Sequence, residues 1–194
     1  MQMILASTNR GNFREMSAQL APLGIELLFG GDFAKPLKVE ESGTSYKENA
    51  LLKARAWAES TGLPALADDS GLEVDALGGA PGIHSARIIE GSDKERTEWL
   101  LASMKDKNDR AARFVCAIAA VFPDGRDALS VERYCHGRIT ESAAGTSGFG
   151  YDPVFIPNGY TETFAELCEE EKNKISHRAL AIKSIAEMLV HVIE

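Results

Sequence analysis

Hydrophobic and polar residues follow two different spacings along the chain, and each spacing predicts one kind of element. Runs rich in hydrophobic and β-branched residues predict strands at residues 3–6, 25–29, 63–68, 113–122, 127–139 and 154–156, and residues 71–75 also look extended. Hydrophobic residues three or four positions apart predict helices with one buried face, as at Phe13, Met16 and Leu20. Strands and helices that alternate in this way predict an α/β fold with a mixed sheet.

Three serines mark the predicted starts of helices. Ser45-x-x-Glu48 and Ser92-x-x-Glu95 are capping-box patterns, the first opening a helix that ends near Gly62. Ser176 is the expected N-cap of the last helix, whose buried stripe would be Ile182, Ile185, Ala186, Leu189, Val190 and Ile193.

Two adjacent aspartates, Asp68 and Asp69, close one predicted strand, which we expect to break at Ser70-Gly71. Like charges at a strand end repel each other and lose hydration. One reading is a simple turn, since Asp and Ser before Gly are common turn residues. The other is a site for a hard cation such as Mg²⁺, completed by the acidic pair Glu40-Glu41.

Several polar stretches next to predicted strands could bind a ligand. Residues 7–12, STNRGN, lie between a strand and a helix, where backbone N–H groups can hold an anion. Phe149 and Tyr151, flanked by glycines, could be core aromatics or a stacking platform for a base. Asp152, expected to be extended before Pro153, could accept a hydrogen bond from a base.

Cationic residues raise two further alternatives. Lys53 is either a solvated lysine on a helix face or a phosphate ligand. His177 and Arg178 occupy the first turn of the last helix, where positive charge opposes the helix dipole. They form either a surface cluster facing the glutamates at 169–171 or a pair of donors aimed at ligand oxygens.

Composition limits the partners and the compartment. The net charge of −8 disfavours binding to nucleic acid polymers and to anionic membranes. The length of 194 residues predicts one domain, spanning 1–194. The three cysteines show no Cys-x-x-Cys spacing, so free thiols are expected rather than disulfides or a zinc site. With no signal peptide and no long hydrophobic run, the chain is expected in the cytoplasm.

The chain resembles the inosine triphosphate pyrophosphatase family, the house-cleaning dITP/XTP pyrophosphatases, in four stretches that occur in the family's order. These stretches are ENALLKAR, ADDSGLEVDALGGAPGIHSAR, GFGYDP and EEEKNKISHR. The resemblance spans essentially the whole chain. It implies an elongated mixed sheet flanked by helices, forming two lobes with a central active-site cleft, and a homodimer. The implied reaction is Mg²⁺-dependent hydrolysis of non-standard purine nucleoside triphosphates to monophosphate and pyrophosphate.

The resemblance also implies roles for individual residues. Asp69 matches the proton acceptor and a metal ligand, and Glu40 the second metal ligand. The positions matching phosphate or substrate contacts are Ser7, Thr8, Asn9, Arg10, Gly11, Asn12, Lys53 and Lys172. The positions matching nucleoside contacts are Ser70, Phe149, Gly150, Tyr151, Asp152, His177 and Arg178.

One position departs from the family pattern. The family's first loop typically ends Asn-x-Gly-Lys, whereas this chain has Asn12 in place of the lysine. An alternative reading follows, in which the protein is a nucleotide sensor with weak or no turnover. A structural protein whose acidic loop binds a cation is the third reading.

Overall fold

The computed structural model describes residues 1–33 and 37–193. The strands in these ranges are β1 (Gln2–Leu5), β2 (Glu26–Phe29), β3 (Ala65–Val74), β4 (Ala111–Val121), β5 (Leu129–Ile139) and β6 (Phe155–Pro157). The helices are α1 (Arg10–Leu20), α2 (Tyr46–Thr61), α3 (Asp93–Ser103), α4 (Glu169–Ile175) and α5 (His177–Ile193). Short 3₁₀ turns follow the strands β2 and β3 directly.

The strands form one sheet in the order β2-β1-β3-β4-β5-β6. β1 runs parallel to both of its neighbours, β2 and β3, whereas β5 and β6 are antiparallel. The predicted α/β fold with a mixed sheet is therefore confirmed. Parallel neighbours need long crossover connections, and α1 and α2 lie in the segments that make them.

The chain divides into two compact units, each discontinuous in sequence. Unit 1 comprises Met1–Asp69, Cys116–Arg133 and Arg178–Glu194, and unit 2 comprises Ser70–Val115 and Tyr134–His177. Each unit buries a hydrophobic cluster of its own. The cluster of unit 1 includes Met3, Leu5, Met16, Leu66, Ile118, Ile182 and Leu189. The cluster of unit 2 includes Leu72, Leu100, Phe114, Tyr151, Phe155 and Phe164.

Side-chain caps fix the starts of the helices close to the predicted places. Ser45 caps α2 by accepting from the Glu48 N–H, and Gly62 caps its C-terminal end with a φ of 68°, which favours glycine. Ser92 and Glu95 form a complete capping box at α3. α5 begins at His177, so the start predicted from Ser176 is confirmed.

The predicted break after the aspartates is wrong. β3 continues for ten residues through Asp68, Asp69, Ser70 and Gly71 to Val74, so neither aspartate lies in a turn. The strand is internal to the sheet, with neighbours on both sides, and this pairing outweighs the turn tendency of the local sequence. α4 was also missed, because its seven residues contain only one hydrophobic side chain.

The three cysteines are free thiols, as predicted, with Cys116 and Cys135 buried and Cys168 exposed. No helix within the described part of the chain combines the length and hydrophobicity needed to span a membrane.

Candidate active site

Asp69 lies at the centre of a hydrogen-bonded group in unit 1. Its Oδ2 accepts from Asn49 Nδ2 at 3.1 Å, and its Oδ1 accepts from Lys53 Nζ at 3.3 Å. Lys53 Nζ also donates to Glu41 Oε1 at 2.8 Å. Lys53 is therefore not a solvated lysine: its ammonium group bridges two carboxylates, and only 16% of its side chain is exposed.

Helix α2 positions both donors of this group. Asn49 and Lys53 are four residues apart, so they lie on the same face of the helix. The Gly43 N–H donates to Asn49 Oδ1 at 2.9 Å, which turns the amide so that Nδ2 faces Asp69. Asn49 was not among the residues selected from the sequence, although the spacing within ENALLKAR is a signal for it, and Glu41 was selected only as part of the acidic pair Glu40-Glu41.

Burial sets the protonation of Asp69. The loss of hydration raises its pKa to about 6; Lys53 opposes this rise, and the negative charge of Glu41 adds to it. Burial disfavours the charged form of Lys53, but Asp69, Asp68 and Glu41 outweigh that effect and raise its pKa. When both carboxylates of this group, Asp69 and Glu41, are ionised, the single positive charge of Lys53 does not balance them.

The group fits Mg²⁺ provided that substrate phosphates and water supply the remaining ligands. Carboxylate oxygens are the ligands that Mg²⁺ uses, and one or two of them suffice when substrate phosphates and water complete the shell. Among residues 1–33 and 37–193, no cluster of three or more His, Cys, Asp or Glu side chains could hold a metal by itself. Asp69 and Glu41 meet the two-carboxylate requirement, while Glu40 is exposed and its metal role stays a prediction.

Asp68, which precedes Asp69 on β3, belongs to a second buried group in unit 1. Its Oδ2 accepts from Asn12 Nδ2 at 3.1 Å and lies 3.4 Å from both Nε and Nη2 of Arg178. Burial disfavours the charge on Arg178, but the groups around it, of which Asp68 has the largest effect, outweigh burial and raise the pKa of the guanidinium. Asp68 thereby offsets the unfavourable position of Arg178 in the first turn of α5, and the surface-cluster reading of His177 and Arg178 is wrong, since both are buried.

Asn9 organises the start of α1. Its Oδ1 accepts from the N–H groups of Gly11 at 2.8 Å and Asn12 at 3.2 Å, so a phosphate at these N–H groups would have to compete with it. Asn9 N–H in turn donates to Ser7 Oγ, and Arg10 pairs with Asp32 at the surface. Thr8 and Gly11 are exposed, and the substrate roles of residues 7–12 stay predictions.

In unit 2, Phe149 combines exposure with a cationic neighbour. The residue is 48% exposed, and Lys172 Nζ lies 5.2 Å from its ring centroid. Lys172 Nζ also pairs with Asp152 Oδ2 at 2.6 Å, and the same oxygen accepts from the Phe149 N–H at 2.9 Å. Phe149 is thus not a core aromatic, whereas Tyr151 is buried and donates to the Ser85 carbonyl.

Two further nucleoside candidates of unit 2 have defined surroundings. Asp152 opens a 3₁₀ turn, so the extended conformation expected before Pro153 is wrong; its bonds to Lys172 and Phe149 hold it there instead. The His177 ring stacks on Phe114, with centroids 4.7 Å apart and planes 8° from parallel. Ser70 is half-buried on β3.

The comparisons with known proteins agree on one family. The family model of the Ham1 family matches residues 3–188. The chain is 48% identical over 192 residues to a dITP/XTP pyrophosphatase of Synechococcus sp. (strain CC9311), covering 99% of this chain and 91% of that protein. It is 47% identical over 196 residues to the protein of the same name from Symbiobacterium thermophilum, covering 100% and 97%. A solved Ham1 protein from Coxiella burnetii superposes with a TM-score of 0.91 at 39% identity, covering 98% of this chain and 99% of that one.

Proposed function

The chain belongs to the Ham1 family, and from this premise we propose that it hydrolyses non-standard purine nucleoside triphosphates. The substrates would be dITP, ITP, XTP and dXTP, and the products a nucleoside monophosphate and pyrophosphate. Removing such nucleotides prevents their incorporation into nucleic acid. The Asp69–Lys53–Glu41 group, in which Asp69 is buried, is the observation that carries the proposal, together with the names of the relatives.

Asp69 is the group we assign to proton transfer. A carboxylate whose pKa is raised by burial accepts a proton more readily than an exposed one, which suits the activation of water for attack at the α-phosphorus. Asn49 and Lys53 each donate to a different oxygen of Asp69, so the carboxylate is held in a fixed orientation. Lys53 and Lys172 would supply positive charge toward the leaving pyrophosphate.

Mg²⁺ is the cofactor we propose, held by Asp69 and by Glu41 or Glu40. When bound, the ion supplies a water of lowered pKa and offsets phosphate charge. A cation would also balance the excess negative charge around Lys53. Glu41 is the stronger candidate for the second carboxylate, because it already shares the lysine with Asp69.

Purine choice would rest on hydrogen-bond donors. His177 through a ring N–H, and Arg178, can donate to O6 of hypoxanthine or xanthine, with Phe149 stacking on the base. Adenine presents an amino group at the same position, which leaves donors facing donors. A mismatch of this kind in a buried site discriminates by several kcal/mol.

A substrate panel tests the proposal. We expect pyrophosphate release from ITP, dITP and XTP to be at least about 100-fold faster than from ATP, because the adenine amino group meets no acceptor. All rates should fall to background when Mg²⁺ is chelated. The measurement is pyrophosphate release from these nucleotides and the four ordinary triphosphates, with and without Mg²⁺; equal rates for ITP and ATP would refute the donor argument.

The same nucleotides separate the other readings when their binding is measured by the melting temperature as well as their hydrolysis. A sensor, motivated by Asn12, would bind ITP without releasing pyrophosphate, whereas a structural protein would show no rise in melting temperature with nucleotide. The names of the relatives favour the hydrolase over the sensor. Asn12 also has a structural role, since its side-chain amide donates a hydrogen bond to the buried carboxylate of Asp68.

We further propose that residues 1–194 act as one enzyme domain in a cytoplasmic homodimer. Both units are built from separate segments of the chain, so neither corresponds to a stretch of sequence that could fold independently. Sedimentation velocity at micromolar concentration should give about twice the chain mass of 21.0 kDa. A species of the chain mass at that concentration would contradict the dimer.

A further inference from the structure

Two side chains of helix α3 form hydrogen bonds with the backbone N–H and C=O of Gly150, the glycine that follows the exposed Phe149. Asp93 Oδ2 accepts from the Gly150 N–H at 2.8 Å. Thr97 Oγ1 donates to the Gly150 carbonyl at 3.2 Å. Neither Asp93 nor Thr97 belongs to the residues assigned above to substrate, metal or proton transfer.

The geometry of α3 is suited to this contact. Asp93 and Thr97 are four residues apart, so they lie on one face of the helix. The capping box of Ser92 and Glu95 fixes where the helix begins. Arg96 Nη2 pairs with the other oxygen of Asp93 at 2.6 Å, which leaves Oδ2 directed at Gly150.

The backbone N–H groups on the two sides of the Phe149 Cα atom, its own and that of Gly150, therefore each donate to a carboxylate. The N–H of Phe149 donates to Asp152, which is held by Lys172, and the N–H of Gly150 donates to Asp93, which is held by Arg96. These bonds matter for Phe149, since nearly half of the residue is exposed and packing covers only the remainder. Its neighbours Gly148 and Gly150 have φ of 77° and 61°, a region that glycine adopts freely, and glycine backbones also have many other conformations open to them, so the two bonds restrict the segment to this one.

We infer that Asp93 and Thr97 are positioning residues that hold the Phe149 ring ready to stack on the purine base. The inference rests on the proposed function, because it presumes that Phe149 contacts a base. It extends base recognition to α3, a helix with no assigned contact to the nucleotide. A preordered platform binds more tightly because no conformational entropy is lost on binding.

Asp93→Ala should therefore weaken base recognition and leave phosphate recognition intact. We expect the KM for ITP to rise about tenfold, since a hydrogen bond to a charged acceptor of this kind contributes a factor of that order. The inhibition constant of inorganic pyrophosphate, which has no base, should stay within about twofold. Asp93→Asn keeps an acceptor for the Gly150 N–H and should give an intermediate KM, and Thr97→Val a smaller rise.

Glu98→Gln is the matched control, because Glu98 is exposed on the same helix and pairs only with Lys94 among the contacts described. The Gly150 amide proton gives a readout besides activity: in Asp93→Ala it should exchange faster with solvent, while amides of the α3 interior should not. A KM that stays constant, or a loss of pyrophosphate binding equal to the loss of ITP binding, would overturn the positioning role. If wild-type protein neither binds nor hydrolyses ITP, the proposed function fails and the inference falls with it, whereas normal wild-type activity with an unchanged Asp93→Ala variant refutes the inference alone.

Discussion

Asp69→Asn is expected to lower kcat for ITP hydrolysis by at least about 100-fold, the usual contribution of a positioned proton acceptor. The amide keeps the shape of the side chain but has no basic oxygen to accept the proton of the attacking water. It also binds Mg²⁺ less well than a carboxylate. Steady-state pyrophosphate release at saturating ITP and Mg²⁺ measures the effect.

The same substitution should stabilise the chain when divalent metal is absent. Asp69 has a pKa of about 6 in the folded protein against an ordinary value of 3.8, so the folded state disfavours the ionised form. Ionisation of Asp69 therefore lowers the free energy of unfolding, an effect that is complete above about pH 6 and disappears below about pH 4. We expect Asp69→Asn to raise the free energy of unfolding by about 1 kcal/mol at pH 8 with chelator present, because the amide NH2 must face one of the two donors, Asn49 or Lys53, and this offsets part of the gain. At pH 4 only that offset remains, so the variant should be no more stable than wild type.

Glu59→Gln, an exposed carboxylate on α2, provides the control and should change neither activity nor stability. The paired result is what identifies an active-site carboxylate: lower turnover together with higher stability. A variant that keeps near-normal turnover would remove Asp69 from proton transfer. A variant that loses stability would show that the carboxylate is structural.

The sequence was sufficient for the class of fold, and it selected Asp69 and Lys53 as separate candidates, but their contact with each other comes from the structure. Strand and helix periodicity depends on near neighbours in the chain, so it predicted most elements within a few residues. The path of β3 through Asp68 and Asp69 was not predictable in this way, because it depends on strands distant in sequence. Local residue preferences favoured a turn there, and sheet pairing overrode them.

Contacts distant in sequence also explain what was missed in the site. Glu41, not its neighbour Glu40, pairs with Lys53, and two adjacent glutamates in a loop carry no periodicity that tells them apart. The α3 contacts with Gly150 join residues more than fifty positions apart. For Arg178 the sequence did give a signal, since a cation in the first turn of a helix opposes the helix dipole and needs a partner, but it could not identify Asp68.

Arg178→Met should be among the most destabilising single substitutions in unit 1. It leaves the buried carboxylate of Asp68 without its cation, and an uncompensated buried charge typically costs about 3–5 kcal/mol. We expect a loss near the lower limit, about 3 kcal/mol, because the two atoms of Arg178 lie 3.4 Å from Asp68 Oδ2 and Asn12 still donates to it. Denaturant unfolding followed by circular dichroism gives the free energy of unfolding.

The double variant Asp68→Asn, Arg178→Met decides whether that loss comes from the ion pair. Removing the charge together with its partner should restore most of the stability, so that the double variant is more stable than Arg178→Met alone. Arg133→Met, an exposed arginine of unit 1, should lie within about 0.5 kcal/mol of wild type and serves as the control. Additive losses in the double variant would mean that Arg178 stabilises the chain through its packing, and that Asp68 does not need the guanidinium as its counter-charge. Recovery of stability without recovery of ITP hydrolysis would instead separate the two roles of Arg178, because the ion pair would then account for folding and the remaining N–H donors for the substrate.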